Sequence, residues 1–173
     1  MIYRSLLVAV ALSALSALTV SAGAQTSPKW KVDSVADKSG AHAVVLSLRS
    51  PLPVDGWPGG FVPVLAVKCT GGEPSVFIVT GLPAKPEEGK EGHFSVLYHF
   101  DNGPRIDAAW AESPSSDTLV APNAREFIHE LLQAKRFRFG YTRDHSTLSI
   151  QEFLVTGFAA ALAKVSSACG SPS

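Results

Sequence analysis

Residues 93–103 read HFSVLYHFDNG, and their strict period of two constrains the fold more than any other stretch of the chain. Phe94, Val96, Tyr98 and Phe100 fall on one side of an extended backbone, with His93, Ser95, Leu97, His99 and Asp101 on the other. Asn102-Gly103 accepts the positive φ angles of a type I′ turn, and PRIDAAWAES then returns with Ile106, Ala108 and Trp110 on one face. A hairpin with one aromatic side must bury that side against another layer.

The same alternation recurs along the chain. KWKVDSV and AHAVVLSLRS read as strands separated by the turn-prone Asp37-Lys38-Ser39-Gly40, and VLAVKC and SVFIVTG as a hairpin about Thr70-Gly71-Gly72-Glu73-Pro74. KRFRFGYTR sets Phe137, Phe139 and Tyr141 opposite Arg136 and Arg138, and TLSIQEFLV pairs back after Asp144-His145-Ser146. Between them lie two connections: PLPVDGWPGGFVP, whose four prolines and three glycines oppose regular structure, and the polar LPAKPEEGKEG. Two stretches break to a helical period. Asn123 with Glu126 three residues on resembles a capping box ahead of the stripe Phe127, Ile128, Leu131, Leu132. GFAAALAKVSSACG, with Thr156 as N-cap and Gly170 as C-cap, places Phe158, Leu162, Val165 and Cys169 on one stripe. About eight strands with regularly spaced turns predict a mainly β (α+β) fold: an antiparallel β-sandwich or curled sheet with two helices, one near residues 123–135 and one C-terminal.

The first residues concern the compartment. Arg4, an apolar stretch from Leu6 to about Val20 and the small residues Ala22-Gly23-Ala24 form the three regions of a secretory signal peptide. Residues 1–24 are expected to be cleaved, leaving residues 25–173 as one disulfide-linked β-rich domain without stable membrane insertion. Without Arg4, fourteen basic residues face fifteen acidic ones. Nucleic acid is disfavoured as a partner, because a phosphate-binding surface needs a clustered excess of Lys and Arg. The two cysteines, Cys69 and Cys169, are most simply one disulfide in an oxidising compartment. They are neither a CxxC redox motif nor a zinc knuckle.

Candidate chemistry centres on the polar parity of residues 93–101. His93 and His99 are roughly 20 Å apart along a strand and cannot share a metal ion. His99 and Asp101, about 7 Å apart, can share a hydrogen bond or a partner, with Arg105 nearby. A base and its orienter are arranged in that way, but the third member of a triad is missing, and the expected reading is a solvated face. His42, His129 and His145 are isolated, and Glu87, Glu88 and Glu91 lie in a loop. No HExxH, GxSxG, P-loop or GxGxxG motif is present, so no catalytic residue, metal or cofactor is expected. Trp57, between Gly56 and Pro58, is either a lid over the core or an anchor for a protein or glycan partner. The binding candidates are therefore Trp57, His99, Asp101 and Arg105.

VLAVKC, VLYHFDNG, Trp110 with Ser113, Pro122 ahead of REFIHELLQAKRFRF, and FLVTGFAAALAKVSSAC together resemble the VasI (TagO) family over roughly residues 62–169. These are small exported proteins encoded with bacterial type VI secretion systems. His99 and Lys68 stand where the family pattern has arginine, and Ser115 where it has aspartate. The resemblance implies a non-enzymatic periplasmic or secreted accessory protein with an envelope protein partner, and it supplies no catalytic residues. A monomer is expected. The reading of different class is an envelope hydrolase using His99 and Asp101.

Overall fold

The computed structural model describes residues 28–36, 42–54, 60–86, 92–113, 117–143 and 147–169. Residues 1–24, expected as a signal peptide, and Trp57, Glu87, Glu88, Glu91, His145 and Gly170 lie outside these residues. The strands are β1 (Lys31–Ala36), β2 (His42–Arg49), β3 (Val64–Thr70), β4 (Glu73–Val79), β5 (His93–Phe100), β6 (Ile106–Glu112), β7 (Thr118–Val120), β8 (Arg136–Thr142) and β9 (Leu148–Leu154). The helices are α1 (Ala124–Gln133), α2 (Phe158–Ala163) and α3 (Ser166–Cys169).

All nine strands form one antiparallel curled sheet in the order β1-β2-β3-β4-β7-β6-β5-β8-β9. The first four follow one another, joined between β3 and β4 by Gly71 and Gly72 at φ 59° and 85°, a left-handed pair that only glycine adopts without strain. The next three run back towards β4, and the three-residue β7 completes the seam. α1 then carries the chain past this hairpin so that β8 can pair with β5.

Period two dictates what faces inward. Phe94, Val96, Trp110, Phe137, Phe139, Tyr141 and Phe153 are buried, as are Leu46, Leu48, Leu65, Val67 and Ile78 from the other half of the sheet. α1 seats Phe127 in the aromatic group, its ring 5.6 Å from Trp110, 5.1 Å from Phe137 and 5.2 Å from Phe100. Trp110 stands 5.0 Å from Phe139. Aromatic pairs in offset or edge geometry contribute about 0.5–1.5 kcal/mol each beyond their area burial.

Local chemistry differs from the sequence expectation in three places. The hairpin turn lies one residue early, at Asp101-Asn102, with Asp101 at φ 47° and Gly103 N–H donating to the Phe100 carbonyl at 2.8 Å. Asn123 precedes α1, but its amide reaches the Glu126 carboxylate at 3.3 Å and no side-chain cap on the backbone forms. The C-terminal element is two short helices, entered through Gly157 at φ 83° in place of the expected cap Thr156. The described ends of the 51–63 connection have no regular structure, as its composition indicates, and are joined at the stem: Ser50 N–H meets the Pro63 carbonyl at 2.8 Å and Val54 N–H that of Phe61 at 2.7 Å.

The terminal stripe is buried at Phe158, Leu162, Val165 and Cys169, and Cys169 is bonded to Cys69 of β3 across 100 residues. Such a pair is compatible with an oxidising compartment. A loop of that length carries a stabilisation of about 4–5 kcal/mol in the chain-entropy model, less any strain. The double variant Cys69→Ala/Cys169→Ala should lose about 2–5 kcal/mol in urea unfolding, and reductant should do the same to the parent. Equal unfolding midpoints for parent and variant under oxidising conditions would show that the bridge does not hold the fold.

Candidate functional site

The sequence-derived constellation resolves into separate structural tasks. The Asp101 carboxylate accepts the backbone N–H of Lys135 at 3.0 Å and of Arg136 at 2.8 Å, while its own N–H donates to the Arg136 carbonyl at 2.9 Å. Those amides sit where α1 ends and β8 begins, so Asp101 ties the β5–β6 turn to that junction. His99 meets the backbone carbonyl of Asp101 through Nδ1 at 3.0 Å, not the carboxylate. Arg105 binds Asp107, with Nε at 2.9 Å from Oδ1. The pairing of His99 with the Asp101 carboxylate that acid/base chemistry requires is not made.

On the outer face the sheet brings His99 beside residues distant in sequence. The register aligns His99 with Arg138 and Arg138 with Glu152, and Arg138 and Glu152 are ion-paired. One row on, Leu97 lies over Gly140, where an added Cβ would come within 2.9 Å of the Leu97 side chain, and Ile150 is the next residue across. Among the described residues, no group of three His, Cys, Asp or Glu side chains is placed to hold a metal ion.

A different feature stands out at the ends of the sheet. The described large hydrophobic side chains that are exposed are Val32, Val35, Leu52, Ile106, Leu148, Ile150 and Leu154. Five of these seven lie on β1 and β9, the two strands that have a single strand partner each among the described residues. In β9 the parity is split: Phe153 points inward with the buried polar Ser149 and Gln151, and Leu148, Ile150 and Leu154 point outward. The signal for this was present in residues 148–155, where apolar residues occupy both parities of one strand.

Grooves run beside both edges. A cavity of about 640 Å³ lies between β9 and the 51–53 segment, with Leu52, Leu148 and Ile150 in its lining. Here Ser50 Oγ donates to the Glu152 carbonyl at 3.2 Å and stands 3.4 Å from Gln151 Oε1. A second cavity, of about 790 Å³, lies at the start of β1 and is lined by Trp30, Leu48, Val64 and Leu154 together with Lys29, Lys31 and Arg49. A third, of about 460 Å³, lies at the start of α1 beside the Arg125–Glu73 ion pair. None of the three is lined by His99, Asp101 or Arg105. Among the described residues no helix is long and apolar enough to cross a membrane.

No protein-family model matches the chain, and no curated protein matches it in sequence. Its fold is similar to the crystal structure of invasion associated protein B from Bartonella henselae, with a TM-score of 0.51 and 13% sequence identity, covering 83% of this chain and 95% of that one. At that identity the likeness concerns the fold alone.

Two outcomes follow from the site chemistry. Asp101→Ala, which leaves the Lys135 and Arg136 amides without their acceptor, should cost about 1–3 kcal/mol in urea unfolding. Asp101→Asn should cost less, because it keeps one carbonyl and tolerates the left-handed backbone. Equal stability of all three proteins would remove the clamp.

Tyr98 and Tyr141 both titrate above the ordinary phenol value of 10.0. Burial is the main cause in each; Glu126 and Glu130 add to it at Tyr98, while the hydroxyls of Thr80 and Ser149 and the charge of Arg143 oppose it at Tyr141. A neutral phenol favoured in the folded state leaves stability intact below the unfolded pKa and withdraws it as the pH rises through the folded value. An ultraviolet titration should place both midpoints above 10.0 in the native protein and return them to it in denaturant. Tyr141→Phe should reduce the alkaline loss of stability, and an unchanged loss would deny Tyr141 its part.

Proposed function

We propose that the chain is an exported, non-enzymatic accessory protein of the bacterial envelope that holds a protein partner along the edges of its sheet. The observation that carries this reading is the concentration of exposed apolar side chains on β1 and β9. Edge strands present unpaired N–H and C=O groups, and folded proteins ordinarily blunt them with charge, proline or short length. Here the edges are six and seven residues long and carry Val32, Val35, Leu148, Ile150 and Leu154. Strand addition uses such edges: main-chain hydrogen bonds supply affinity and alternate side chains supply selectivity.

The Cys69–Cys169 bond and the leader at residues 1–24 support an exported setting, periplasmic or secreted. The resemblance to the VasI family supports a secretion-system accessory role and makes a type VI component the first partner to test. Asp101, His99 and Arg105 enter this reading as supports of the β5–β6 turn and not as reactive groups.

Photo-crosslinking in the native cell is the test. A photoreactive residue placed at Val35 or Ile150 should give discrete protein adducts, and one placed at the exposed His129 of α1 should not. The crosslinked chain should begin near Gln25 and resist thiol alkylation until reduced. Retention in the cytoplasm with free thiols, or adducts at His129 as abundant as at the edges, would overturn the reading.

A further inference from the structure

We infer that the cavity at the start of β1 is the seat of an extended, acidic peptide segment that inserts one large apolar side chain while it adds to the β1 edge. This rests on the edge-binding function proposed above and names the partner's chemistry.

The lining divides by chemistry. Trp30, Leu48, Val64 and Leu154 form an apolar floor, and Lys29, Lys31 and Arg49 supply positive charge without any carboxylate among the lining residues. Lys31 is paired with Asp33 at 2.9 Å, and no ion pair engages Lys29 or Arg49 among the described residues. Arg136, which faces Leu154 in the register, extends the basic character on the outer surface. For a chain with equal numbers of acidic and basic residues, this is a local excess that selects a negative partner.

Geometry selects a peptide over a small amphiphile. The space, about 790 Å³, accommodates one large side chain and its flanking backbone. It opens directly onto β1, whose only strand partner among the described residues is β2, and whose exposed Val32, on the same parity as Trp30, continues the apolar surface. A segment leaving the cavity therefore meets the open backbone groups of alternate residues along β1. An acyl chain would need depth, and the inward course is filled by Trp30 packed 4.9 Å from Phe158 and by the buried Leu48.

A random-peptide display library panned on the exported, disulfide-bonded chain tests this with the partner still unidentified. Selected peptides should be rich in Asp and Glu around an aromatic or leucine residue. A fluorescein-labelled winner should bind the double variant Lys29→Glu/Arg49→Glu about tenfold or more weakly, with an unchanged melting temperature. The same peptide should slow amide exchange in Val32–Val35. Winners without acidic bias, or equal binding to the charge-reversed variant, would overturn the proposal. So would binding of phosphatidylglycerol vesicles in place of peptides. Acidic winners that protect β9 and not β1 would discard this seat and leave the edge-binding function standing, whereas failed edge crosslinking in cells would remove that function itself.

Discussion

A sheet with one continuous apolar face persists in water only if that face is covered. In this chain the cover is curvature plus three short helices, and the last two of those helices cannot stand alone. α2 has six residues and α3 four, well below the roughly 12–15 that an isolated helix needs even in favourable sequences. Their place is set by the buried stripe Phe158, Leu162, Val165 and by the Cys169 bond to β3. The covalent link reaches further than its own neighbourhood. Phe158 is the surface against which Trp30 packs, and Trp30 leads directly into β1. The bridged terminal segment thus backs the entry to β1, whose register is set by its six pairs with β2.

The other half of the cover is α1, and its logic is different. A ten-residue amphipathic helix with Phe127, Ile128 and Leu131 buried is held by packing against aromatic rings rather than by caps. Its C-terminal junction leaves the Lys135 and Arg136 amides facing the β5–β6 turn, and the Asp101 carboxylate accepts both. A positive φ at Asp101 falls on a residue type that enters the left-handed region more readily than most, and its carboxylate is held by the two junction amides. The tight turn and the helix end are one construction.

Much of the fold was legible because parity and period are local properties. Phe94, Trp110, Phe137, Phe139 and the stripe ending at Cys169 all face inward as their spacing indicates. Periodicity says which face a residue occupies; it does not say which strand lies beside it. The insertion of β7 between β4 and β6 was invisible for that reason, three residues being too few to show a period. The role of Asp101 at the α1–β8 junction was hidden for a related one. Its partners are backbone amides 34 and 35 residues away, and a polar residue on an outward parity looks the same whether it caps a junction or serves chemistry. The edges were also hidden, since edge status belongs to the sheet order and not to β1 or β9 themselves.

The two edges are not equivalent, and the difference decides how each can be used. In β9, Val155 N–H donates to the Lys135 carbonyl, so odd residues direct their backbone groups towards β8 and even residues direct theirs to the open side. One of those open groups, the Glu152 carbonyl, already accepts from Ser50, and Leu52 follows two residues later beside the same groove. A strand added to β9 therefore has to stop near Ile150. β1 carries no such stop among its described neighbours, and its first residue opens on a basic, apolar-floored cavity. A short edge with a blocked end favours brief contacts, whereas an open edge with a cavity at its start sets both the register and the polarity of whatever pairs with it.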